Sequence, residues 1–338
     1  MFSLQKVRGV VQKEISDTVP VKLCHRMSCG IQAFSLNEFV SINANGRSLA
    51  LNRKTGESRV YRTLHDKRTV PLLLKMILKF VPKNKLIYCS LDHSQFGPFC
   101  IAVLAVSFRK GRALPIWCQI NISKAGLMKP LLRELKVLSD NLPEGTRLVL
   151  VMDRWFCGQK LFNLIASVNW YFICRVKYGG RIEVPWDDDP IPIGEISHFE
   201  TVCWYKGMKL RMVRPNLKPG MKENEPWFLL TNLPDSITRR QIVNRYAERF
   251  EIEESFKDVK WLNRMEWQQV KKPSVIQALL LFIFFGRWIF WFLSLVLNHN
   301  ELKSHNPKHQ LSWFRITWEM IHRLSWPDEL RFTPLTKT

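Results

Sequence analysis

In the segment YAERFEIEESFKDVK, residues 246–260, a tyrosine, an arginine, a glutamate and a lysine stand at offsets 0, 3, 7 and 14. On one ideal helix, turning about 100° per residue, Tyr246, Arg249, Glu253 and Lys260 fall within about 60° of arc. Beside them Ile252, Phe256 and Val259 form an apolar stripe able to seat the helix on a core. The polar quartet is therefore expected to line a cleft, presenting a carboxylate, two cations and a phenol to one target. A solvated helix laced by salt bridges is the alternative for this segment taken alone.

Two further carboxylates end apolar runs, Asp92 in LIYCSLD (residues 86–92) and Asp153 in RLVLVMD (residues 147–153). Continuous apolar runs of this length suit strands buried on both faces. If the two strands are parallel neighbours, Asp92 and Asp153 emerge together where ligand sites gather. Singly, each aspartate could instead cap the next helix. With Glu253 they make three carboxylates, the donors a pair of Mg²⁺ ions needs. Two such ions can activate the attacking oxygen and stabilise the leaving oxygen of an in-line phosphoryl displacement. Arg249 and Lys260 would counter the phosphate charge.

Other elements must position these groups. FCIAVLAVSF and ALPIWCQI read as a hairpin bent at residues 109–112 around Gly111, and Leu131, Leu132, Leu135, Leu138 and Leu142 keep helical spacing. From Tyr178 to about Pro226 the texture becomes short β-like runs rich in Pro and Gly, and Asp187, Asp188 and Asp189 before Pro190 read as a solvated turn. WFLLTNLPDSI supplies another buried strand and a turn, and Thr238 with Gln241 forms a capping-box start for the next helix. Near the amino terminus SLALNRKTGESRVYRTLHDKR reads as helix-turn-helix. Its turn is expected at Lys54–Glu57 and its second helix is capped by Ser58, placing Arg59, Arg62, Lys67 and Arg68 for phosphates or base edges.

The 338 residues carry a formal charge of +22 with 46% hydrophobic content, a folded chain suited to a polyanion. Residues 1–82 alone hold fourteen basic and five acidic side chains. The eight cysteines lack paired spacing and no secretory leader is read, so a reducing cytoplasm is expected. Cys24, His25 and Cys29 cluster, but no second ligand pair follows at finger-like spacing, and His299, His305 and His309 sit in a polar stretch; zinc is not expected at either. The apolar run from Ser274 to Asn298 has the length of a bilayer span, yet Arg287 lies near its centre, so a helix buried by its own protein is expected.

With these residues in hand, the sequence resembles the DDE transposases of the insertion sequence four family. Tyr246, Arg249, Glu253 and Lys260 match that family's Y-x2-R-x3-E-x6-K signature in full, Asp153 stands in MDRWF, similar to its D-R-x-F segment, and Asp92 stands like its first acid. GRALPIW, FICRVK and WFLLTNL are also similar, extending the resemblance over about residues 30–300.

The resemblance implies an α/β chain with a ribonuclease-H-like catalytic domain. The expected organisation is a helical basic DNA-binding region at 1–82, a first catalytic part at 83–178, a β-rich insertion at 179–226, a second catalytic part at 227–300 and a tail at 301–338. It implies cut-and-paste transposition in the bacterial cytoplasm, at the nucleoid, by a homodimer acting on terminal inverted repeats and target double-stranded DNA through a hairpin intermediate, with no membrane partner. Asp92, Asp153 and Glu253 would be catalytic and hold Mg²⁺, with Mn²⁺ able to substitute. Tyr246, Arg249, Lys260, Arg154, Arg175, Arg59 and Arg62 would contact DNA, and Trp227 would stack on a flipped base. Phe250 replaces a second tryptophan of some relatives. A DNA-binding protein that derives from such a transposase and no longer cuts is the other reading.

Overall fold

The computed structural model describes residues 23, 26–27, 53–107, 113–215, 227–261 and 270–296. Most of residues 1–52, the Cys24/His25/Cys29 cluster, the expected bend at 109–112, His299, His305, His309 and the tail at 301–338 lie outside the described residues. The chain divides into two compact units, residues 78–258, and residues 1–77 with 259–338.

In the second of these, α1 (Arg53–His65) and α2 (Thr69–Leu78) cover the expected helix-turn-helix stretch. The turn expected at Lys54–Glu57 does not form, and Ser58 is not an N-cap, because α1 runs unbroken through both. Gly56 is buried and opens a face continued at four-residue steps by buried Val60 and Leu64. That burial offsets the cost of about 1 kcal/mol that a glycine brings to a helix interior relative to alanine. The chain turns instead at Asp66–Arg68. There Asp66 accepts hydrogen bonds from the Arg68 backbone N–H (3.0 Å), the Arg68 guanidinium (2.8 and 2.9 Å) and Arg26 (3.0 Å).

These bonds, led by that from the Arg68 side chain, hold the Asp66 carboxyl at about 2, below its ordinary 3.8. A depressed carboxyl stabilises the fold above its unfolded value, and the contribution is lost as pH falls through the folded one. Asp66→Asn is expected to cost about 1 kcal/mol at pH 7 after solvent screening. Thermal unfolding should show that difference closing between pH 4 and pH 2; a difference unchanged across that window would mean that Asp66 acts through something other than its charge.

The unit of residues 78–258 is built on a ten-stranded mixed sheet. β1 (Leu86–Phe96), β2 (Phe99–Ser107) and β3 (Ala113–Asn121) form an antiparallel meander, followed by α3 (Met128–Asn141), β4 (Arg147–Met152), α4 (Gln159–Ser167) and β5 (Tyr171–Arg175). β4 lies parallel to both β1 and β5, as the apolar runs predict for strands covered on two faces. β6 (Arg181–Val184), β7 (Asp187–Pro192), β8 (Glu200–Tyr205) and β9 (Met208–Val213) occupy the segment expected to be β-rich, and β10 (Leu229–Thr231) joins β9 to β5. The sheet order is β3-β2-β1-β4-β5-β10-β9-β8-β6-β7. Asp187, Asp188 and Asp189 are not a turn: they stand exposed in β7, the edge strand, where charge discourages pairing with another chain.

Helices cover both faces. α3 buries Leu131, Leu135 and Leu138, and α4 packs on β5 with Phe162 stacked on Phe172 at 4.1 Å. The opposite face of β4 and β5, carrying Val149, Val151 and Ile173, is covered by α5 (Arg239–Ala247) through Ile242 and Tyr246. Thr238 and Gln241 close the capping box expected at the start of α5. α6 (Phe250–Trp261) follows, with Ile252, Phe256 and Val259 buried as their spacing predicts. The Ser255 hydroxyl accepts from the Ala113 N–H (3.1 Å) and donates to the Ala113 carbonyl (2.8 Å), tying α6 to edge strand β3. In the other unit, α7 (Pro273–Val296) is largely buried over the residues whose burial is described, with Arg287 3% exposed. Among the described residues no helix is long and apolar enough to cross a membrane.

Candidate active site

The parallel register of β1 and β4 places the first two acids. Its last partners are Leu91 and Met152, so Asp92 and Asp153 are the next pair in line. Paired residues of neighbouring strands point to the same face, and successive residues alternate. Asp92 and Asp153 therefore share the face of Val151, the one α5 covers. The parallel register of β4 and β5 pairs Met152 with Cys174, which brings Arg175 into that row beside Asp153. One carboxylate, another and a guanidinium stand across three adjacent strands.

Asp92 is not at the end of its strand as the sequence suggests. β1 continues to Phe96 because β2 goes on pairing with it past the end of β4, with Asp92 opposite Val103. Asp153 does leave its strand, and it caps a short 3-10 turn, accepting from the Trp155 N–H at 2.9 Å. The exposed Arg154 lies in that turn.

The helical stripe also needs correction. Tyr246–Lys260 is not one helix: α5 ends at Ala247, α6 begins at Phe250, and the junction is wound by bonds from the Arg249 N–H to the Tyr246 carbonyl (3.0 Å) and from the Ile252 N–H to the Arg249 carbonyl (3.1 Å). These three-residue steps tighten the turn. Tyr246 belongs to α5, Arg249 to the junction, Glu253 to the first turn of α6 and Lys260 to its last.

Arg249 gains its position from that turn. Its guanidinium donates to Asp92 Oδ2 at 2.9 Å and to Glu253 Oε1 at 2.8 Å, linking β1 to α6. Asp92 and Arg249 are buried, whereas the Glu253 side chain is 43% exposed. Burial raises the Asp92 carboxyl to about 6, against the pull of Arg249, and the nearby Asp153 and Glu253 charges add to the rise. The three acids are thus near enough to repel one another. Among the described residues no three His, Cys, Asp or Glu side chains form a ready-made metal cage. The positive charge between Asp92 and Glu253 is the guanidinium itself. As donors, three hard carboxylate oxygens in mutual repulsion fit a divalent cation.

Tyr246 is 1% exposed, and burial raises its phenol to about 12. Its ring meets Trp227 edge-on at 4.9 Å, which places it in the core face of α5 rather than open to DNA. Trp227 is half-buried and lies 6.3 Å from Phe250, which is 45% exposed and stacks under the Arg249 guanidinium at 4.8 Å. Exposed Arg62 and half-buried Arg59 lie on α1, in the other unit.

His93 is a neighbour that the sequence reading missed. Its ring stacks on Trp155 at 4.6 Å and its Nδ1 lies 3.7 Å from Asp92 Oδ1, with no hydrogen-bond partner among the described residues. Burial and then Lys124 lower its basicity, favouring the neutral ring. The available signal was its place directly after Asp92.

The mixed sheet thus places Asp92 and Asp153 in register on neighbouring parallel strands, and α6 brings a third carboxylate, Glu253, to Arg249 beside Asp92. A family model, the transposase DDE domain, matches residues 98–289, more than half of the chain. The protein belongs to the DDE transposases, which act on DNA. No curated protein matches the sequence.

Proposed function

We propose that this transposase cuts its element's ends and joins them to target DNA by two-metal phosphoryl transfer through a hairpin, as a homodimer. The observation that carries this reading is the adjacent placement of Asp92 and Asp153 with Glu253 held to Asp92 through one arginine. The strand order β3-β2-β1-β4-β5 supports a ribonuclease-H-like core, with β6–β9 as the insertion. Asp92, Asp153 and Glu253 would hold Mg²⁺ or Mn²⁺, which would supply an activated nucleophile and a stabilised leaving oxygen. The protein's own contribution is to keep the carboxylates on one rigid face and to bind the phosphates. Arg175, in the row beside Asp153, and Arg154, in the turn that Asp153 caps, would bind phosphate on the sheet side. Lys260 and the α1 arginines Arg59 and Arg62 bind the DNA backbone, with an affinity that falls steeply as salt rises.

Trp227 and Phe250 supply the aromatic surface for a base unstacked at a hairpin tip, worth about 1–3 kcal/mol per stacked base. Tyr246 acts by seating Trp227. A gel separating nicked, hairpin and blunt products tests this reading. Trp227→Ala should accumulate nicked DNA, with hairpin formation slowed by roughly 10- to 100-fold. Equal loss of nicking and hairpin formation would show that Trp227 serves only the fold.

A further inference from the structure

The Arg249 guanidinium stands where a cation is most needed. It is buried, it bridges a carboxylate of β1 and a carboxylate of α6 at 2.9 and 2.8 Å, and its charge offsets theirs. Yet the arrangement is incomplete. Nε of the same guanidinium is buried with no hydrogen-bond partner among the described residues, and an unmade bond of this kind is costly. Glu253 spends one oxygen on Arg249 while its side chain remains 43% exposed. A guanidinium is also the side chain best matched to phosphate, which it binds through paired N–H groups.

We infer that Arg249 is a positioning residue that occupies the place of a divalent ion between Asp92 and Glu253, and that DNA phosphate draws it off and frees both carboxylates for metal. This rests on the proposed metal role of the three acids. The consequence is an order of events. Without DNA, metal must compete with a tethered cation for the same oxygens, so affinity is low. With DNA, the guanidinium has a better partner, the two carboxylates repel, and metal affinity rises. By linkage the effect is reciprocal, with metal tightening DNA binding by the same factor. A nuclease built this way is not loaded for cleavage until its substrate is seated.

The experiment is a Mn²⁺ titration at about pH 8, where Asp92 is ionised, followed by electron paramagnetic resonance of free Mn²⁺ on the full chain. Wild type, Arg249→Gln, Arg249→Lys and Asp92→Asn are compared, each with and without a short duplex of mixed sequence at low salt. Without DNA, Arg249→Gln should bind Mn²⁺ at least about tenfold more tightly than wild type, the low end of coupling between close charged groups. Arg249→Lys, which keeps the charge, should stay within about threefold of wild type. DNA should tighten Mn²⁺ binding by about tenfold in wild type and much less in Arg249→Gln. Should the Gln protein fail to fold, the wild-type titration decides, because Mn²⁺ affinity unmoved by DNA overturns the inference. Unchanged or weaker Mn²⁺ binding in a folded Arg249→Gln protein overturns it too, while Asp92-dependent binding in wild type would leave the metal role standing. Mn²⁺ binding that Asp92→Asn does not alter overturns the metal role itself and the inference with it.

Discussion

Replacing Asp92 or Asp153 by Asn, or Glu253 by Gln, is expected to lower strand cleavage by about 10³-fold or more, with end-DNA binding kept within a few-fold of wild type. Removing one preorganised group that stabilises transition-state charge costs about 10²–10³ in rate, and a metal ligand does more than one such group. The substitutions remove a charge at nearly constant volume, so the sheet at Asp92 and the 3-10 turn at Asp153 retain their packing. Of the three, Asp153→Asn isolates chemistry best, because among the described residues Asp153 makes no ion pair whose loss would disturb the fold. Asp92→Asn and Glu253→Gln also unhook Arg249. Single-turnover cleavage beside a gel-shift measurement checks the expectation. Cleavage that survives in Asp153→Asn at near wild-type rate would remove the acid row from the mechanism.

Arg249→Ala is expected to destabilise the DNA-free protein by about 3–5 kcal/mol at pH 8, the range for stripping the partner from a buried charge. Asp92 is the reason. Burial lifts its carboxyl to about 6 even with Arg249 beside it, so the ionised form already weighs against the fold. For an acid raised in this way, the folded state binds more protons than the unfolded chain between about pH 4 and pH 6, and stability declines as pH rises through that window. Without the guanidinium the decline deepens. The gap between wild type and Arg249→Ala should therefore be wide at pH 8 and narrow at pH 5, where Asp92 takes up a proton. Denaturant unfolding at the two pH values measures it. An equal gap at both would assign the loss to packing, including the contact of Arg249 with Phe250.

The expected pH behaviour and the inferred metal competition rest on the same contact, Arg249 with Asp92. A carboxylate at a buried position is serviceable only if some cation is always near it. The structure supplies that cation from the junction that leads into the helix bringing Glu253. Arg249 keeps Asp92 tolerable through their ion pair, and in the function proposed above it would also bind phosphate. Signature spacing of three residues from Tyr246 and four to Glu253 follows from that ion pair as much as from the proposed phosphate binding. The tight junction between α5 and α6 aims Arg249 at Asp92, while the i,i+4 step along α6 puts Glu253 within its reach.

Several features of this protein were determined by sequence alone. LIYCSLD and RLVLVMD are apolar without alternation, and they form β1 and β4, parallel and covered on both faces, since such runs have no solvated side to offer. Ile252, Phe256 and Val259 are buried by their helical period, and Thr238 with Gln241 caps α5 because both halves of the box are local. That Asp92 and Asp153 stand side by side on parallel neighbours was also legible, from two apolar runs that each end in an aspartate. Tertiary structure decided the rest. β1 runs past Asp92 because its antiparallel partner β2 outlasts β4, a fact about neighbours rather than about the strand. Gly56 stays inside α1 because a buried face outweighs a propensity of about 1 kcal/mol. The stripe of four polar groups on one ideal helix becomes two helices and a junction, which buries Tyr246, turns Arg249 onto Asp92 and leaves Glu253 half open. Periodicity describes a helix against a featureless core, whereas these side chains are sorted by what each one meets: an aromatic ring, a buried carboxylate or water.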